Sequence, residues 1–264
     1  MFRGLYFMEK KIVHKISWAG ILITVIGSLF FSTKAVIVKY AFKHTDIDAI
    51  SLLALRMLFS LPFYLVMAWL AFKNEPTKKL STKQWLYIFL LGIFGYYLSS
   101  LFDFMGLQYV SAGIERLILF LYPTFVVLIN AMLFGQLVTR NQKIALLLTY
   151  AGIGIAYFGE IQITEASHDF IYGSILIFIC ALTYASYLVG SGKMIPKLGA
   201  SKFTAYVMLA ATVAVLLHFF IASDYTKLHL TAELTMYSLM LSIFATVIPS
   251  LLIAYGMKKI GISF

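Results

Sequence analysis

The sequence predicts an all-α, polytopic integral membrane protein. Three observations carry that reading. Of the 264 residues, 61 % are hydrophobic and 12 % charged, with a mean hydropathy of +0.91. A soluble chain of that length needs far more polar surface to cover one core. The apolar residues fall in long blocks, and a bilayer core about 30 Å thick takes roughly 20 helical residues at 1.5 Å each. The basic residues collect in alternate connections between the blocks.

Eight blocks are expected, at about 17–41, 49–72, 85–109, 111–134, 143–159, 171–190, 203–222 and 235–256. The first follows MFRGLYFMEKKIVHKISW, a long basic region with no small-residue cleavage pattern, so it reads as a span and not as a signal peptide. Met8 is an alternative start to Met1. The second block carries Arg56 and Pro62, and the third Tyr96, Tyr97, Phe102, Asp103 and Phe104. The fourth holds Glu115, Arg116, Tyr122 and Pro123. The fifth is the shortest, and its Gly152–Gly154 suits close helix packing. Cys180 in the sixth is a small packing residue. His218 near the end of the seventh reads as interfacial, and the eighth carries Pro249. Connections are short, so neighbours form antiparallel hairpins. The longest breaks are 73–84, 160–170 and 223–234.

With the N-terminus in the cytoplasm, the inner segments hold 15 of the 21 Lys and Arg, among them Lys10, Lys73, Lys83, Arg140, Lys193 and Lys258. The outer ends and loops hold only Lys39, Lys43 and Lys227. This positive-inside bias places the N-terminus in the cytoplasm of a multi-pass inner or plasma membrane protein. Trp18, Trp69 and Trp85 all fall at the inner interface, where an amphipathic ring prefers to sit. The net charge of +10 is therefore a topology signal and predicts no nucleic-acid partner. The partners expected are a small-molecule solute and the lipid bilayer; a homo-oligomer is possible. One cysteine allows no disulfide framework, and no metal or cofactor is expected. Nor is an enzyme. Gly190–Lys193 lacks the first glycine and the final hydroxyl residue of a phosphate-binding loop, and no zinc-protease motif or nucleophile elbow occurs.

Ser100–Gly113 and Ser250–Ser263 share an outline 150 residues apart, with Gly106 echoed by Gly256. Gly20 aligns with Gly173, and the same offset sets the small pair Ser28 and Ser32 on Ala181 and Ala185, one turn apart on a face that admits a close neighbour. The expected units are 17–159, with five spans, and 171–264, with three. An odd number of spans per unit makes successive copies inverted. The last residues then begin a step back toward the membrane, and the second unit is two helices short of the first, with Phe264 either a natural end or a truncation.

Gly106–Gln142, GLQYVSAGIERLILFLYPTFVVLINAMLFGQLVTRNQ, resembles the signature region of the EamA family of drug/metabolite transporters. The shared outline is the small-residue turn Ser111–Gly113, a helix with a central Pro123, and a polar exit before the fifth helix. Arg56 matches a basic residue usual in that family, whereas Gln136 stands where many members carry Glu. The resemblance implies ten helices in two inverted five-helix units, with a solute path at their interface.

Lys34, Arg56, Asp103, Glu115 and Arg116 are the ionisable residues within spans, each costing about 2.5–3.5 kcal/mol at mid-helix. Counted from the span ends, they form one layer roughly 6–11 Å below the outer boundary. That layer is expected to line the outer vestibule of a solute pathway, with Asp103 paired to Arg56 or Lys34 and a surplus positive charge open to an anionic or zwitterionic solute. Snorkelling of the long cationic chains is the structural alternative. Glu115 and Arg116 leave the helix about 100° apart and are not expected to pair. A desolvated carboxylate here is a candidate proton-coupling site. Pro62, Pro123 and Pro249 free backbone carbonyls that can line a cavity, and Pro123 beside Tyr122 is the midplane candidate. The expected function is secondary transport, as export of a small metabolite, amino acid or drug-like solute by alternating access. A non-transporting membrane structural or interaction subunit, or an inactive fragment, is the alternative.

Overall fold

A computed structural model describes residues 17–74, 80–135, 137–161, 168–223 and 228–260. Among them the chain is helical: α1 (Trp18–Ser32), α2 (Lys34–His44), α3 (Ala49–Asn74), α4 (Thr82–Gly92), α5 (Ser99–Leu107), α6 (Ala112–Leu119), α7 (Tyr122–Phe134), α8 (Arg140–Ile161), α9 (His168–Leu198), α10 (Ala200–Ala222), α11 (Ala232–Ser242) and α12 (Ile248–Ile260). Two π-helical turns, Ile93–Leu98 and Ile243–Val247, join α4 to α5 and α11 to α12 with no loop between. Among the described residues, seven helical stretches are long and apolar enough to cross a membrane. The fifth expected span is helix α8, whose side chains from 156 onward lie outside the description. So do the alternative starts Met1 and Met8, Gln136, the Lys258 side chain and residues 261–264.

Polar side chains at the helix starts supply the acceptors that the first backbone N–H groups lack. Ser81 and Gln84 form a capping box on α4, Ser111 caps α6, and Thr231 caps α11. Gly199, at φ 78°, is the single residue that turns α9 into α10. A side chain at that φ would be strained.

The molecule is apolar outside, and most charges of its spans are buried within. Leu22, Leu29, Phe72, Leu147 and Phe220 are exposed, whereas Lys34, Arg56, Asp103, Glu115 and Lys202 are all at most 5 % exposed. That inverts a water-soluble surface and suits hydrocarbon. Trp18, Trp69 and Trp85 are exposed near helix ends on the side expected to be inner.

At the centre α3 lies against α10, burying Leu52, Leu53 and Met57 with Ala205, Met208 and Ala211. Around this pair the contacts are reciprocal. Helix α1 packs on α12 while α5 packs on α9; α4 packs on α10 while α11 packs on α3. Glycines make both outer crossings. A Cβ on Gly256 would lie 2.9 Å from the Gly20 carbonyl, and one on Gly106 3.0 Å from that of Gly173. The expected alignment of Gly20 with Gly173 and Gly106 with Gly256 therefore falls on two matching contacts.

Two packing expectations are corrected. Ser28 and Ser32 are exposed, although Ala181 and Ala185 are buried; span 1 presents Gly20, Thr24 and Gly27 to α12 instead. The hydroxyls bond back to carbonyls of their own helix, so the serine face needs no partner. At Gly152 and Gly154 an added Cβ would meet no described atom within 4 Å, so these glycines make no close crossing.

Candidate functional site

Four of the expected spans depart from regular α-helix where the sequence removes or diverts backbone hydrogen bonds. In span 1 the break is at Thr33, where Ser32 and Thr33 hydroxyls donate to the carbonyls of Leu29 and Phe30. Such back-bonding bends helices. In span 4, Pro123 supplies no N–H, and the helix restarts with it in the first turn of α7. In span 8, Pro249 follows the second π turn, where the Thr246 hydroxyl donates to the Leu241 carbonyl five residues back. Ser99 holds the corresponding place after the first π turn, and its hydroxyl donates to the Gly95 carbonyl. Pro62, by contrast, sits within an unbroken α3.

Next to the breaks in spans 1 and 4, intramembrane charges come together. Lys34 opens α2, and its Nζ lies 2.8 Å from Asp103 Oδ2 and 3.9 Å from Glu115 Oε1. Arg116 Nε lies 3.2 Å from Glu115 Oε2. The pairing not expected from backbone directions therefore forms: the 100° separation governs Cβ directions, whereas a long Arg chain can fold back. Arg116 Nη2 also donates to the Ser32 carbonyl at 3.0 Å and to that of Phe31 at 3.4 Å. The guanidinium thus caps the carbonyls left over where α1 ends. Cys180 Sγ approaches Asp103 Oδ1 at 4.0 Å, so it is a polar neighbour of the carboxylate as well as a packing residue. The four charges cancel in pairs and tie α1–α2, α5 and α6 together.

Arg56 stands apart from this quartet, so the single expected layer divides in two. Its Nε donates to Thr246 Oγ1 at 2.8 Å, and Nη1 reaches Ser100 Oγ at 3.4 Å. The Phe104 ring lies 5.4 Å from its Cζ. Because the Thr246 hydroxyl gives its proton to Leu241, its lone pairs remain to accept from Arg56. Arg56 is 1 % exposed and makes no ion pair among the described residues. Its charge is the surplus that the sequence anticipates.

Arg56 faces a cavity of about 850 Å³, within the range of small-molecule sites. Helix α7 lines it with Tyr122, Pro123 and Asn130, and Thr246 and Ser250 line it as well. Tyr96, Tyr184 and Tyr187 form an aromatic flank: Tyr96 and Tyr187 meet edge to face at 5.3 Å, as do Tyr122 and Tyr184 at 5.4 Å. Toward the end of α7, Lys193 Nζ lies 3.9 Å from the Phe134 ring centroid. A small pocket of about 30 Å³, bounded by Phe31, Lys34, Arg56 and Ser100, lies between this cavity and the charged quartet. Both π turns reach the large cavity, through Tyr96 and Thr246.

Of the expected site residues, Arg56, Tyr122 and Pro123 line the large cavity and Lys34 the small one. Asp103 and Glu115 are fully buried in the ion-pair network and line neither, and Arg116 serves as a helix cap. The five charges therefore do not line one outer vestibule: of them only Arg56 borders the large cavity, which extends to Phe134 and Lys193, toward the side expected to be inner. Of the suggested aromatics, Tyr96 reaches the cavity, Tyr97 bonds His218 Nδ1 at 3.0 Å, and Phe104 lies beneath Arg56. Sequence reasoning missed Tyr184, Tyr187, Lys193 and Thr246. The 150-residue echo held the signal for one of them, since it pairs Tyr96 with Thr246. Gly190–Lys193 is helical within α9, in keeping with its rejection as a phosphate loop.

Comparison with known proteins bears on what such a cavity serves. The sequence profile described as the EamA-like transporter family matches residues 18–158. An uncharacterized transporter of Bacillus subtilis (strain 168), YcbK, is 30 % identical over 256 residues, spanning 92 % of this chain and 78 % of that protein. An uncharacterized transporter of Haemophilus influenzae is 22 % identical over 245 residues, 93 % of this chain and 72 % of its own length. A solved crystal structure superposes with a TM-score of 0.65 at 18 % identity, over 91 % of this chain and 79 % of that one. That last likeness concerns the fold alone.

Proposed function

The chain belongs to the EamA-like transporter family, and from that premise we propose that it carries a small solute across the membrane by alternating access. The observation that carries the reading is the cavity of about 850 Å³ between the two π turns, with the buried cation Arg56 on its wall. π turns recur at functional sites because they redirect side chains and free backbone groups. Here they lie 150 residues apart, and the reciprocal contacts of α1 with α12 and α5 with α9 run between the two halves. This supports two inverted units, 17–159 and 171–264, rocking about a site near the midplane.

In this scheme the N-terminus lies in the cytoplasm and transport runs outward. The charged quartet acts as the structural hinge of the moving units. Lys34 and Arg116 sit at the break in span 1, where a rigid-body motion has backbone groups to exchange. Glu115, buried and held by charge contacts with Lys34 and Arg116, is the proton-coupling candidate.

The test is flux in proteoliposomes. Purified protein should accelerate movement of at least one solute from a metabolite panel above that of empty liposomes. Preloading unlabelled solute should stimulate uptake of the labelled form. A folded protein that moves no solute in the panel, yet co-purifies with a stable partner, would favour a non-transporting subunit.

A further inference from the structure

Resting on the transport reading, we infer that the solute is an organic anion with an aromatic or apolar body and without a compensating ammonium group. Charge distribution is the first ground. The large cavity is bordered by Arg56 and Lys193 and by no Asp or Glu among the described residues. Asp103, the carboxylate closest in the fold, is fully buried and engaged by Lys34 at 2.8 Å. Glu115 is engaged by Lys34 and Arg116. A cavity lined by one sign of charge within low-dielectric walls concentrates the opposite sign.

Hydrogen bonding gives the second ground. Arg56 spends Nε on Thr246 and one Nη1 proton on Ser100, leaving Nη2 with no protein acceptor among the described residues. A buried guanidinium with a free edge fits a carboxylate or another planar oxyanion through paired N–H···O bonds. Thr246 and Phe104 fix the guanidinium plane, so its orientation does not depend on the solute. The Ser250 hydroxyl, by contrast, donates to the Val247 carbonyl and is partnered by Tyr64, so it is committed within the wall.

Shape and polarity give the third. Four tyrosine rings border the same space, and their faces suit a flat or apolar body. A zwitterion of the same size brings an ammonium that finds no carboxylate here, beside a guanidinium that repels it. Zwitterions are therefore rejected, which narrows the anionic or zwitterionic expectation to the anion.

The experiment measures binding to the full chain in nanodiscs, by calorimetry, with four probes of matched size: 3-phenylpropionate, 3-phenylpropan-1-ol, 3-phenylpropylamine and phenylalanine. The expected order puts 3-phenylpropionate first, with the amine and phenylalanine weakest. Arg56→Gln should weaken the anion about 10- to 100-fold while leaving the alcohol little changed. Arg56→Lys, which keeps the charge but loses the planar fork, should fall between. Binding of phenylalanine or the amine as tight as that of the anion overturns the inference. So does no preference of wild type for the anion over the alcohol; neither result requires a variant to fold. Anion binding without flux of any solute would leave this site assignment standing and remove the transport reading. Flux of some other solute with no anion preference would do the reverse.

Discussion

Lys34→Met leaves Asp103, 0 % exposed, without its ion-pair partner, and Asp103→Asn leaves Lys34, 6 % exposed, with only the longer 3.9 Å contact to Glu115. Breaking a buried pair in this way costs about 3–5 kcal/mol. Asp103→Asn and Lys34→Met should each lower the thermal midpoint of the detergent-solubilised protein by several degrees. The double variant should recover most of that loss, because no unpaired charge remains; a strictly additive double variant would rule out the pairing as the cause. In the flux assay Asp103→Asn should reduce transport, and full retention of rate would remove the quartet from the mechanism. All five of these ionisable residues are visible in the sequence, since charge within an apolar block is conspicuous. Their partners are not. Asp103 had two candidate cations on different helices, and only packing brings Lys34 to it while leaving Arg56 with Thr246 and Ser100. The Arg116–Glu115 contact was missed because side-chain flexibility, not helix geometry, determines the reach of a guanidinium.

The elements depend on glycines at two crossings. Leucine at Gly173 would place Cβ 2.7 Å from that of Tyr109 and 3.1 Å from the Gly106 carbonyl. At Gly256 it would meet the Gly20 carbonyl at 2.9 Å. Backbone cannot move aside cheaply, so Gly173→Leu and Gly256→Leu should both destabilise by about 1–3 kcal/mol or more. Gly152→Leu, with open space around it, should leave the melting curve unchanged. Equal melting of all three would show that the crossings are not tight. Helix positions were legible because a span needs only an apolar run of sufficient length. The choice between packing glycines and idle ones was legible only in part: the echo marked Gly106 and Gly256, but nothing local showed that Gly152 and Gly154 meet no close neighbour. The π turns were also hidden, although Pro249 marks the second; Ser99, which takes the same place after the first, carries no comparable signal.

For the whole molecule, the reciprocal crossings and the distribution of basic residues make one further prediction. With Cys180→Ser as background, a membrane-impermeant maleimide should label Asp46→Cys in intact cells and Lys83→Cys only after permeabilisation. The opposite pattern would reverse the orientation proposed from the positive-inside bias. By itself the sequence determined that this protein is a bundle of membrane helices with charges inside and a 150-residue internal echo. Those properties follow from solvation and chain length: hydrocarbon excludes charge, and 1.5 Å per residue fixes how long a span must be. Only the tertiary structure decided which charges neutralise one another and which one borders a cavity. That outcome depends on contacts between residues far apart in the chain, such as Arg56 with Thr246, and no local pattern specifies them.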